Sequence, residues 1–221
     1  MRRRSGAIAV GAIAALLGPT AVADAAPEVL QYHVHHATYG EIGSYTNLID
    51  RRGEMTSVHS ELHVAVKLLG IVVWRQEAVR TEEWQRNRLV SFDGVTVTNG
   101  KRLELHGEAR GDHFVISAPR GTIEAPATVH PSNPWSAMVL EPGAMMSTST
   151  GEVSTVGVIG GEVQTVELDG TKRRLRQFDI IGSKHRVVWL DAKRVPVAFR
   201  TEERGAAVDF ILENRPIAAL P

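Results

Sequence analysis

The chain has 221 residues, 25 Lys and Arg against 25 Asp and Glu, nine His and no Cys. Hydrophobic residues make up 43% and charged ones 23%, which excludes a disordered chain, since such a chain buries too little apolar surface to offset its conformational entropy. Twenty Gly without a three-residue period exclude collagen, and the length allows one domain or two small ones.

The first residues read as a secretory signal peptide. Arg2-Arg3-Arg4 is a basic start, the run from Ala7 to Gly18 is uncharged and apolar, and Pro19 breaks it. Ala21-Val22-Ala23 and Ala23-Asp24-Ala25 are small-x-small cleavage sites. The run is shorter than the roughly 20 residues of a spanning helix, so the expectation is cleavage rather than anchoring, with no transmembrane segment in the mature chain. Ser5-Gly6 does not fit a twin-arginine signal, and without Cys there is no lipidated N-terminus. Cleavage after Ala25 leaves 221 − 25 = 196 residues at a charge of 22 − 24 = −2. A mildly acidic exported protein, periplasmic or secreted, is a poor nucleic-acid binder, because neutralising phosphates takes surplus Lys and Arg. With no disulfide available, the hydrophobic core has to suffice, and at this size it can.

From residue 26 onward the pattern alternates. His33 and His35 share one face of a first strand, and a second spans Ile42 to Asp50. From Ser57 to Leu68, Val58, Leu62, Val64, Val66 and Leu68 fall on one face, and Ser57, His59, Glu61, His63 and Lys67 on the other. Leu103 to Ala109, Val195 to Phe199 and Ala206 to Leu212 alternate likewise. Tyr39-Gly40, Arg52-Gly53, Asp93-Gly94, Asn99-Gly100, Gly111-Asp112, Asp169-Gly170 and Arg204-Gly205 are turn signals at hairpin spacing. About ten to twelve strands follow, joined mostly as hairpins.

An all-β antiparallel meander of that size has to curl or split. A barrel or strongly curved half-barrel is the first expectation, because closure removes exposed edges, and a two-layer sandwich is the second. The pattern breaks from Ala125 to Ser147, where Pro126, Pro131, Pro134 and Pro142 oppose a regular ladder. This segment reads as a long crossing loop, a lid or plug, with one helical turn near Ser136 to Leu140. One domain over residues 26–221, with a short flexible C-terminal tail, is the simplest organisation.

Short motifs line up in order: Tyr39-Gly40-Glu41-Ile42-Gly43, Glu83-Trp84, Asn133-Pro134-Trp135, Met146 to Gly151, Phe178 to Gly182 and Val188-Trp189-Leu190-Asp191. In this the chain resembles an exported bacterial family known only as domain of unknown function six-one-three-four, over nearly all of residues 26–221. Family members tend to carry Trp-Asn where this chain has Trp135-Ser136. The resemblance implies an all-β exported protein and no particular activity. In fold the chain is also similar to the open barrels of periplasmic lipoprotein carriers, which hold acyl chains on a concave apolar face; this likeness is one of architecture.

The candidate chemistry is sparse. His33, His35, His59 and His63, with Glu61, could supply zinc ligands from neighbouring strands, or could be polar residues of a solvated face. An intervening strand would hold the two pairs about 9–10 Å apart. No Gly-x-Ser-x-Gly elbow or phosphate loop occurs, and Ser147 to Thr150 is hydroxyl-rich beside a turn. Glu82 and Glu83 point to opposite faces and cannot form a dyad. Gly157 to Gly161 lacks dinucleotide-loop spacing and reads as a bulge or turn. Lys172, Arg174 and Arg176 share a face that could meet phosphates or an acidic partner, or be merely solvated. Trp74, Trp84, Trp135 and Trp189 could line an apolar pocket or fill the core. Trp135, in its proline-framed loop, is the strongest ligand-binding candidate.

Three readings follow. The first is a non-enzymatic envelope protein that binds an apolar or lipid-like ligand and uses no cofactor. The second is a metal carrier or metal-dependent enzyme built on the four histidines. The third is a structural domain that docks an envelope protein partner by an exposed edge.

Overall fold

A computed structural model describes residues 26–203, 205–213, 215–218 and 220. The leader expected over residues 1–25 lies outside the described residues, as does Arg204 of the last turn pair. Eight strands run as a meander: β1 (Glu28–His36), β2 (Gly40–Arg52), β3 (Met55–Leu68), β4 (Ile71–Gln85), β5 (Arg88–Thr98), β6 (Lys101–Arg110), β7 (His113–Ala118) and β8 (Gly121–Pro126). An irregular stretch carries β9 (His130–Pro131), a 3-10 turn (Ala137–Leu140) and β10 (Gly143–Met146). A second meander follows: β11 (Val153–Leu168), β12 (Thr171–Ile181), β13 (Arg186–Leu190), β14 (Pro196–Glu203) and β15 (Ala206–Leu212).

The last strand returns to the first. β15 pairs antiparallel with β1, so one fifteen-stranded sheet runs from β8 through β1 and β15 to β9. Every pairing is antiparallel except the short β9–β10 contact. The sheet is curled rather than split into two layers. Its ends, β8 and β9, do not pair with each other, so the curled half-barrel holds and the sandwich does not.

Alternation explains the curl. On β3, Val58, Ser60, Leu62, Val64 and Val66 are buried, while His59, Glu61 and His63 alternate with them on the more open face. Leu68, read as part of the apolar row, is 56% exposed, because it stands at the protruding β3–β4 turn. Two glycines permit close approach. A Cβ on Gly43 would lie 1.9 Å from the His63 carbonyl oxygen, where β2 adjoins the β1 bulge. A Cβ on Gly94 would lie 2.9 Å from the Phe92 ring.

Gly94 also corrects the turn reading. Asp93-Gly94 lies inside β5, paired with Thr81 and Arg80, and makes no turn. The turns at Leu69-Gly70 and Arg86-Asn87 instead carry Leu69 and Arg86 at positive φ. The short segments β9 and β10 bring the count to fifteen. Gly160, in the glycine run of β11, marks a bulge against β12; a Cβ there would lie 2.7 Å from the Gln177 carbonyl oxygen.

The irregular stretch enters the concavity. Ser136 caps the 3-10 turn, its side chain accepting from the Met138 amide. Val139 and Met145 pack with Val156, Ile180, Val188 and Leu190 of β11–β13. The larger cluster joins β1–β8 to β11–β15 and takes in Trp135 and Met146.

The face assignment has a sharp test. Val58 is fully buried, opposite Ile49 on one neighbour and Glu82 on the other. Val58→Asp brings a second carboxyl beside Glu82 without a partner and is expected to cost more than ~4 kcal/mol. His59→Asp, on the more open face, is expected to stay within about 1 kcal/mol. Urea midpoints of the two variants check this; similar losses would mean the faces are assigned wrongly.

Candidate functional site

Inside the curl lies a cavity of about 1060 Å³. Its rim is formed at one end of the sheet: Tyr39 after β1, Val73 and Trp74 after the β3–β4 turn, Thr98 at the end of β5, Lys184 between β12 and β13, and Ala206 at the start of β15. One wall is apolar, with Val34, Ile42, Leu62, Val64 and Val66 from β1–β3. The same wall continues onto β15 and β14 with Phe210, the cross-strand partner of Val34, and Phe199, the two rings stacked with centroids 4.2 Å apart and 13° between planes and Tyr45 edge-on to both. Asn133, Pro134, Val139 and Met145 supply the floor, and Ser147 to Thr150 a hydroxyl-rich side.

Beneath the floor is a buried polar network. Along the inner face of β4 the chain places Trp74, Gln76, Ala78, Arg80, Glu82 and Trp84 in sequence from rim to closed end. Glu82 Oε2 accepts from Trp84 Nε1 at 3.0 Å and from Trp135 Nε1 at 2.9 Å. Its Oε1 accepts from Asn133 Nδ2 at 2.9 Å. Asn133 also donates to Ser60 Oγ at 2.9 Å and accepts from the Tyr45 hydroxyl. Ser60 donates in turn to Asn47 Oδ1 at 2.7 Å. Arg80 Nε donates to the Thr148 carbonyl at 3.2 Å.

Burial dominates the electrostatics of these groups. It pushes the Glu82 carboxyl above its ordinary value against the pull of Asn133, Trp135, Trp84 and Arg80. It raises the Tyr45 phenol and lowers the Arg80 guanidinium. The network thus ties the loop 127–152 to β2, β3 and β4. The loop is a plug seated in the closed end, while the rim end stays open.

The four tryptophans separate. Trp74 lines the cavity. Trp84 and Trp135 pack edge to face at 5.8 Å below the floor, with the Arg51 guanidinium 5.9 Å from the Trp135 ring. Trp189 is buried on the opposite side of its strand from cavity-lining Val188, donating to Gln177 Oε1 with Arg200 over its ring.

The four histidines lie apart from the cavity. His33 and His63 flank the same Ser44 from β1 and β3, one strand apart on each side. His33 Nε2 meets Asp169 Oδ1 at 3.0 Å, at the tip of the β11–β12 hairpin. His59 and His63 each approach Glu61, at 3.2 and 3.7 Å. His35 stands in register with Glu41 and Asp209. Among the described residues no three His, Asp or Glu side chains are arranged to hold a metal ion. Of the basic stretch, Arg176 donates to the Gly161 carbonyl at the β11 bulge.

Sequence reasoning missed Arg80, Asn133 and the inward role of Glu82. For Arg80 and Glu82 the available signal was their parity with Ala78 and Trp84 on β4. Beside the rim, Leu69, Ile71, Val72 and Val73 form an exposed apolar hairpin tip, with Leu69 at 96% exposure.

Comparison with known proteins supports the fold. The model of the family described as Domain of unknown function (DUF6134) matches residues 38–213. Among solved structures, the beta-barrel-like protein of Domain of Unknown Function DUF1849 from Brucella abortus is similar, with a TM-score of 0.64 and 9% identity over 87% of this chain and 98% of that one. At that identity the likeness is one of fold alone. Comparison with curated protein sequences gave no match.

Proposed function

The protein belongs to the DUF6134 family of unknown function, and we propose that it is a non-enzymatic binder of an apolar, lipid-like ligand held inside its curled sheet. The observation that carries this reading is the cavity. Its volume of about 1060 Å³ lies at the upper end of small-molecule sites, which run to roughly 1,000 Å³. The wall is aliphatic and aromatic, so each methylene of a ligand taken out of water there contributes ~0.8 kcal/mol. The plug fills one end and leaves the rim end open, a form that suits an elongated guest. The signal-like residues 1–25 favour an envelope setting for this role.

The neutral fluorophore N-phenyl-1-naphthylamine tests the reading. Saturable binding to one site is expected. Val66→Trp, which puts a large ring into the lumen, is expected to weaken it by about tenfold or more, while the thermal midpoint shifts little. Absence of saturable binding to the unaltered protein sinks the reading. The exposed tip at Leu69 to Val73 would then favour docking to an envelope partner.

A further inference from the structure

We propose that the ligand is an acyl chain ending in a carboxylate, and that Arg80 at the bottom of the open lumen is its head-group anchor. The inference rests on the lumen-binding reading and adds to it the chemistry of the guest. Arg80 is 5% exposed and lines the cavity. Its Nε is committed to the Thr148 carbonyl. No protein acceptor within hydrogen-bond reach serves its two terminal nitrogens among the described residues. The fully occluded side-chain atoms without a partner there are Asn47 Nδ2 and Arg173 Nε, so the terminal nitrogens of Arg80 border open lumen.

The one carboxylate on the same strand face is already spent. Glu82 accepts from two indoles and an amide, and no ion pair within 4.0 Å joins it to Arg80. A guanidinium stays protonated even where burial opposes it, so a cation sits at low dielectric with one carbonyl in hydrogen-bond contact and the charge of Glu82 only beyond ion-pair distance. Such a group is costly unless an anion completes it. Its fork of parallel N–H donors matches the two oxygens of a carboxylate.

The rest of the lumen fits the same guest. From Arg80 to Trp74 at the rim is six residues of β4, roughly 20 Å at ordinary strand rise. That length is walled by Val64, Leu62, Phe199 and Phe210, which suit an extended hydrocarbon. Lys184 and Arg186 also line the cavity, Lys184 at the rim, where water competes for an anion, and Arg186 with its Nη1 against Met145 Sδ. The position of Arg80 therefore predicts a chain that enters head first.

The test compares palmitate with methyl palmitate, each displacing the neutral naphthylamine. In the unaltered protein the acid is expected to bind about tenfold or more tightly than the ester, the gain of a charge-assisted hydrogen-bond pair. Arg80→Gln is expected to bring the two within about twofold by weakening the acid alone, and Arg80→Lys to keep part of the preference. Lys184→Gln is expected to leave it intact. Equal affinities in the unaltered protein overturn the proposal whether or not Arg80→Gln folds. So does a preference that survives Arg80→Gln or disappears in Lys184→Gln. Ester binding without acid preference leaves the lumen reading standing and removes the role of Arg80; failure of both compounds and of the naphthylamine removes both.

Discussion

Glu82→Ala is expected to cost roughly 3–5 kcal/mol of folding stability, from the loss of a buried charge partner and the orphaning of its donors. Glu82 is fully buried, and three N–H groups converge on it from Trp84, Trp135 and Asn133. Alanine leaves two indole nitrogens and an amide without an acceptor, and it deprives Arg80 of its nearest balancing charge. Glu82→Gln keeps one acceptor oxygen and is expected to lose only about half as much. Chemical denaturation of the three proteins checks the order. A loss below about 1 kcal/mol in Glu82→Ala would mean that water replaces the carboxylate and that the network does not hold the plug.

The same pair gives a pH signature. Burial raises the folded carboxyl above its ordinary 4.5. A raised carboxyl favours folding while it is protonated. Its contribution is complete below the unfolded value and is lost as pH rises through the folded one. The stability of the unaltered protein relative to Glu82→Gln should therefore fall as pH rises above the ordinary carboxyl range. Glu28, held low overall by Arg51 and Arg215 despite its burial, has the opposite dependence, but both proteins share it and it cancels in the difference.

How far the sequence shows this site depends on where alternation has a clear sign. On β3 the row Val58, Leu62, Val64, Val66 is legible because aliphatic side chains occupy nearly every inward position. Ser60 stands in the same row, and its inward direction follows from parity alone, but a serine in a strand does not announce a buried network. Arg80 and Glu82 are harder, since charged residues on a strand are ordinarily solvated and only the plug turns their side into an interior. The plug itself is legible as an interruption, through its prolines and its one helical turn. Its seating against Glu82 is not, because that depends on contacts 51 and 53 residues apart in the chain. Asp93-Gly94 misleads for a related reason: the glycine serves the ring of Phe92, a packing need that mimics turn chemistry. The mouth, by contrast, is fixed by topology once β15 meets β1, since successive turns then alternate between two ends.

Trp135→Ala is expected to lower stability by about 3–5 kcal/mol, or roughly 6–20 °C in thermal midpoint for a chain of this size. The ring is 6% exposed, packs edge-on against Trp84, lies near the Arg51 guanidinium and donates one of the three bonds to Glu82. Alanine removes the ring from a site whose neighbours are held by their own hydrogen bonds and cannot collapse into the space, so the cavity term persists. Trp135→Phe keeps most of the volume and loses the N–H, and is expected to cost only about 1–2 kcal/mol. The two variants separate packing from hydrogen bonding. They also separate a fixed plug from a moving lid. A fixed plug loses midpoint in proportion to ring volume, and naphthylamine affinity changes little until the sheet unfolds. A lid would let the segment around Trp135 peel away by itself, so binding would change strongly while the midpoint fell by only a few degrees. The Asn133 and Trp135 bonds to Glu82 and the Arg80–Thr148 bond bind the segment at several points, which favours the first result.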